Sequence, residues 1–172
     1  YNTWEEADAL CNGYGNMDIL EKVLSATMKV KNGEAVYERD SVIFDQIEYS
    51  WPVLTGLMCA AAQNSGCLKV LDFGGSLGSS YFENRLFLNS LPKISWNVVE
   101  QTHFVVAGKK HIQDKNLRFF ETIDDCVQDI KPNAILLSSV LQYLRDPGKI
   151  IDTLIKIGSD VILIDRTIVN SN

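Results

Sequence analysis

One stretch constrains the fold of this chain more than any other: Leu-Lys-Val-Leu-Asp-Phe-Gly-Gly-Ser-Leu-Gly-Ser-Ser-Tyr, residues 68 to 81. Leu68 to Phe73 reads as a short apolar strand that runs straight into a glycine-rich turn. A helix is predicted from about Ser79, carrying Tyr81, Phe82, Leu86 and Leu88. Gly74, Gly75 and Gly78 let the backbone bend tightly and leave room for a ligand against main-chain atoms. The helix start offers unpaired N–H groups. Asp72 puts a carboxylate beside the turn, a charge that repels pyrophosphate and suits an ammonium group.

Spacing separates the glycine patterns that compete for these residues. A dinucleotide fingerprint needs G-x-G-x-x-G, and Phe73 stands where its first glycine belongs. A P-loop needs Lys followed by Ser or Thr after its last glycine, where this chain has Ser79-Ser80. Gly74-Gly75-Ser76-Leu77-Gly78 matches the G-x-S-x-G elbow of hydrolases. That fold requires a histidine late in the chain, and the histidines are His103 and His111, which leaves a hydrolase as a minor alternative.

From Leu68 onward strands and helices alternate. The expected strands are 68–73, 95–100, 116–120, 133–138 and 160–166; the expected helices are 79–90, 102–111, 122–130 and 147–157. Asp146-Pro147 opens the last helix and Gly158 closes it. Apolar runs such as Ala134-Ile135-Leu136-Leu137 suit strands covered on both faces. The fold class is therefore α/β, a doubly wound parallel sheet with ligands at the carboxyl ends of its strands. Ahead of it, Thr3-Trp4-Glu5-Glu6 forms a capping box for a short helix that breaks near Gly13-Tyr14-Gly15. A second helix runs from Asp18 to about Lys31, and a third starts at Trp51-Pro52 and reaches about Gln63. The span 34–49 has no sustained period.

What remains at the turn is apolar-apolar-Asp-apolar-Gly-x-x-x-Gly, and Val70 to Gly78 resembles motif I of the class I S-adenosylmethionine-dependent methyltransferases. Ser76 stands where many members have a middle glycine. Further segments look like one bacterial family of this class, often encoded among surface-polysaccharide genes: Tyr37 to Val42, Leu71 to Tyr81, Val98 to Gln101, Ser138 to Leu144 and Ile164 to Thr167. The resemblance implies a Rossmann-like methyltransferase core over 66–172 and an N-terminal helical cap or lid over 1–65. It also implies S-adenosylmethionine as cofactor and a small-molecule or saccharide acceptor. The class I sheet has seven strands, the last two forming a hairpin, whereas this sequence stops just after strand five. A longer native enzyme is therefore expected, as is self-association through the exposed sheet edge.

Cofactor contacts are expected from Asp72 for the amino group and from Gly74, Gly75, Ser76 and Gly78 as the close-approach turn. Glu100, with Gln101 beside it, lies 28 residues beyond Asp72 and is placed for the ribose hydroxyls. The family type places Glu121 at the adenine, and Ser138, Ser139 and Gln142 toward the methyl-donor position. Capping by Ser138 or Ser139 is the rival reading of those serines. On the acceptor side stand Tyr37, Glu38, Arg39 and Asp165-Arg166-Thr167, with Tyr37, Arg39 and Asp165 as the catalytic candidates. Asp165, near the end of a buried strand, is either ion-paired with Arg166 or Arg39 or acts as a base. His103 could serve as a base, though a lone helical histidine usually sits at the surface.

Composition narrows the rest. With 172 residues, 46% hydrophobic and 22% charged, the chain is an ordinary globular domain. A net charge of −6 argues against nucleic acid as the main partner. No apolar run reaches the ~20 residues of a membrane span, and a cytoplasmic location is expected. Cys11, Cys59, Cys67 and Cys126 show no metal-binding spacing and read as four buried reduced thiols. The remaining rivals are a nicotinamide-dinucleotide enzyme of similar topology and a non-catalytic protein that retains the pocket.

Overall fold

The computed structural model describes residues 17–167. The capping box at Thr3–Glu6, the break near Gly13–Gly15 and Cys11 lie outside the described residues. The elements in chain order are helix α1 (Met17–Lys31), strands β1 (Tyr37–Arg39) and β2 (Val42–Phe44), helix α2 (Trp51–Gln63), β3 (Cys67–Phe73), α3 (Ser79–Leu88), β4 (Lys93–Val99), α4 (Thr102–Ala107), β5 (Leu117–Phe120), α5 (Ile123–Asp129), β6 (Ala134–Ser138), α6 (Pro147–Ile155) and β7 (Val161–Asp165). No helix among them is long and apolar enough to cross a membrane.

Strands β3 to β7 form one parallel sheet in the order β5-β4-β3-β6-β7. Counting from β3, this is the 3-2-1-4-5 order of a Rossmann-like doubly wound fold, as the alternation of strands and helices predicts. The order reverses direction between β3 and β6, so the crevice above these two is the natural ligand position.

Side-chain alternation divides the core in two. Leu68, Val70, Trp96, Val98, Leu117, Phe119, Ala134 and Leu136 pack under residues of α1 to α4. Leu71, Val99, Ile135 and Leu137 face the other way, with Cys126 of α5 and Leu154 of α6. Helices α1 and α2, from the segment read as a cap, share the first of these cores with the sheet.

The alternation also aligns the chemistry. Continuing each strand by twos on the first face reaches Asp72 on β3, Glu100 just past β4, Ser138 on β6 and Asp165 on β7. Register confirms the alignment of the last pair, because Ser138 lies directly beside Asp165. Four polar side chains thus end four neighbouring strands on one face.

Four features differ from the sequence reading. The span 34–49, which shows no sustained period, holds strands: β1 and β2 form an antiparallel hairpin whose turn residues, Asp40 and Ser41, both take positive φ, at 50° and 70°. Such a turn usually announces itself with Asn-Gly, which is absent here. The helix expected over 102–111 is α-helical only to Ala107 and continues as a π-turn over Gly108–Ile112. The thiols are not uniformly buried: Cys126 is, Cys67 is partly exposed and Cys59 is exposed. Leu86, assigned to the apolar side of α3, also points to solvent.

Candidate functional site

Asp72 is the fixed point of the site. It is fully buried, and Trp96 Nε1 donates to its Oδ2 over 2.9 Å while Oδ1 has no partner among the described residues. Burial pushes its pKa up to about 7, against the opposing pull of the Trp96 bond and of the positive charge on Arg166. Gly75 lies against this carboxylate so closely that an added Cβ would fall 2.4 Å from Oδ2. Only glycine leaves the turn in that position. Gly74 donates its N–H to Val99 O over 2.9 Å, which ties the turn to the end of β4.

The turn then reaches α3 through two left-handed residues, Ser76 at φ 53° and Gly78 at φ 91°. Ser76 therefore adopts the conformation that a glycine at this place would favour. Gly78 is the N-cap of α3 and brings no capping side chain, so the helix start stays open.

Glu100 continues the ladder of β4, donating its N–H to Phe120 O over 3.1 Å. Burial raises its pKa to about 7; the Gln101 backbone opposes this and the charge of Asp72 adds to it. The Asp72 charge thus disfavours ionisation of Glu100. Gln101 is exposed at the start of α4. Glu121 is exposed at the end of β5, where it accepts from Thr102 Oγ1 over 2.9 Å.

On the other flank, Ser138 and Ser139 end β6. Ser139 takes φ 56°, donates its N–H to Asp165 O and accepts from Gln142 Nε2 over 3.0 Å. Neither serine caps the short 3₁₀ turn Leu141–Tyr143, whose N-cap is Val140.

The acceptor-side candidates form one chain of hydrogen bonds. Arg39 Nε donates to the Tyr37 hydroxyl (3.0 Å), which donates to Glu83 Oε2 (3.2 Å). Glu83 Oε1 accepts from the Ser50 N–H (3.3 Å), and Ser50 Oγ donates to Asp165 Oδ1 (3.1 Å). Asp165 Oδ2 accepts from Ser138 Oγ (3.1 Å) and pairs with Arg166 Nε at 3.5 Å. Arg166, at φ 50°, also donates to Ser138 Oγ from Nε and Nη2.

Asp165 is thus ion-paired with Arg166 and accepts hydrogen bonds from Ser50 and Ser138. Burial holds the Tyr37 hydroxyl above the usual phenol range, outweighing the opposing Arg39 bond, so it remains a donor near neutral pH. Glu83 joins the halves of the network and Trp96 holds Asp72, and neither was singled out from the sequence. Trp96 was reachable, because it stands two and four residues before Val98 and Glu100 on one strand face. Glu83 sits among polar neighbours in a helix and reads as solvent-facing; only its burial reveals it. His111 lies exposed in the π-turn, away from these strand ends.

No protein-family model and no curated protein matches the chain. Among solved structures, the bifunctional kinase-methyltransferase WbdD is similar over 83% of this chain, with a TM-score of 0.47 and 16% identity. The likeness is distant. This chain covers 35% of that protein's length.

Proposed function

We propose that the chain is an S-adenosylmethionine-dependent methyltransferase domain. The observation that carries this reading is the unpaired, buried Oδ1 of Asp72 beside a glycine turn with no room for a side chain. A cationic ligand is what such an oxygen lacks. An ammonium group supplies both a hydrogen bond and the charge that lets the carboxylate ionise. Pyrophosphate, the ligand of the competing dinucleotide reading, meets two buried carboxylates here, Asp72 and Glu100.

The residues fit the cofactor part by part. Asp72 would take the amino group, the backbone of 74–78 the amino-acid stem, and Glu100 the ribose hydroxyls. Bound there, the cofactor supplies an electrophilic methyl group. The protein's share is then mostly alignment and exclusion of water. Ser138 and Ser139 leave space beside the methyl-donor position. The Tyr37–Glu83–Asp165 network holds the hairpin and the ends of β6 and β7 in one arrangement around the acceptor. The family resemblance supports a small molecule or saccharide as that acceptor.

Calorimetric titration tests the reading. S-adenosylhomocysteine binds in the micromolar range or tighter and NAD does not; the reverse pattern would hand the pocket to dinucleotide chemistry. Asp72→Ala abolishes the binding.

A further inference from the structure

Glu38 is a second buried carboxylate against the glycine turn, and the cofactor contacts above leave it unused. It lies on β1 and is 1% exposed. Ser79 Oγ, on the first residue of α3, donates to Glu38 Oε1, and Thr27 Oγ1 of α1 donates to the same oxygen over 3.3 Å. The Ser41 backbone lies close enough to favour the charged form, yet no donor completes a hydrogen bond to Oε2. Burial outweighs these contacts and holds the acid above the ordinary carboxylate range.

The open, positive end of α3 explains how a carboxylate is tolerated at this place. It does not explain why one oxygen stays empty, since buried polar atoms are ordinarily paired. Asp72 repeats the pattern, with Oδ2 filled by Trp96 and Oδ1 empty. Two buried carboxylates, Asp72 against Gly75 and Glu38 against Ser79, thus each have one filled and one vacant acceptor. A ligand that satisfies both brings N–H donors and positive charge. A phosphate at the start of α3, where doubly wound folds hold it, would lie against the Glu38 carboxylate.

We propose that Glu38 is a specificity-determining ligand contact: its Oε2 accepts from the ammonium end of an amino-acid-type ligand, and its charge excludes phosphate from the start of α3. The proposal rests on the cofactor reading to the extent that this ammonium belongs to S-adenosylmethionine.

The test is calorimetric titration of wild type and Glu38→Gln with three probes: S-adenosylhomocysteine, its des-amino analogue and NAD. Glu38→Gln weakens S-adenosylhomocysteine about 10- to 100-fold, the loss of one charged hydrogen bond. It leaves the des-amino analogue unchanged, and the melting temperature of the free protein does not fall. A merely structural Glu38 gives the opposite result, with both ligands weakened equally and a lower melting temperature, and that overturns the proposal. So does NAD binding by the wild type. If the wild type binds S-adenosylhomocysteine and Glu38→Gln binds it equally well, the Glu38 role alone fails. If the wild type binds none, the cofactor reading falls with it. Ser79→Ala, which keeps every carboxylate, serves as the second variant should Glu38→Gln not fold. It weakens S-adenosylhomocysteine about 3- to 10-fold, as expected for one neutral hydrogen bond that orients Glu38, and spares the des-amino analogue. No change in either ligand would overturn the contact.

Discussion

Replacing Asp72 with asparagine should make the free protein more stable at alkaline pH while destroying its ligand site. Asp72 moves from an ordinary value of 3.8 to about 7 on folding, chiefly because it is buried. The folded state therefore holds the proton more tightly than the unfolded chain does. The stability this contributes is complete below about pH 4, is lost as pH rises toward 7, and is flat beyond. At about 1.4 kcal/mol per pKa unit, the full loss is about 4 kcal/mol, and the part falling between pH 5 and pH 7 is about 2 kcal/mol. Asp72→Asn carries no charge to bury, and its carbonyl still accepts from Trp96. The stability gap between variant and wild type should thus widen in favour of the variant by about 3 kcal/mol between pH 5 and pH 8. Release of Glu100 from the neighbouring charge adds to it in the same direction. Urea unfolding at the two pH values reads this as a relative midpoint change on the order of 1–2 M. A gap that stays constant with pH would refute the claim that Asp72 is buried at the expense of stability.

Three further substitutions test the parts around it. Gly75→Ala forces a Cβ into the Asp72 carboxylate and should cost about 1–3 kcal/mol of stability by the same urea assay, with cofactor affinity lost in titration. Trp96→Phe removes the one donor on Asp72 Oδ2 and should move the pH at which ligand affinity rises to half its plateau above that of the wild type. Glu83→Gln weakens the Tyr37 and Ser50 bonds and should lower turnover on an accepted substrate about tenfold, with S-adenosylhomocysteine affinity preserved. Equal losses in both would place Glu83 in the cofactor pocket instead.

The sheet was legible because its strands are short apolar runs between clear turn signals, and period two then carries Asp72, Glu100, Ser138 and Asp165 to one face. The alternation of elements predicts the doubly wound sheet, and the strand order seen in the structure brings them together. The hairpin was not legible, since Asp40 and Ser41 enter left-handed backbone without a glycine to advertise it. Glu38 was named on the acceptor side, but its burial, like that of Glu83, was hidden for a related reason. A carboxylate in a polar segment reads as solvated unless the three-dimensional packing shows what covers it, and here the cover comes from α1, α3 and the hairpin itself. The role of Asp165 was left between ion pair and base; the structure shows its contact with the adjacent Arg166, which the sequence permits but does not require.

The most direct measurement is the number of protons exchanged when S-adenosylhomocysteine binds, obtained by titration in buffers of different ionisation enthalpy. Asp72 and Glu100 are each raised to about 7 in the free protein, and a ligand bringing positive charge to Asp72 drives it to ionise. Binding at pH 6.5 should release about 0.5 to 1 proton, the release should vanish above about pH 8, and affinity should climb as pH rises through 7. Binding without proton release across this range, or with proton uptake, would contradict a pocket built from two carboxylates waiting for a cation.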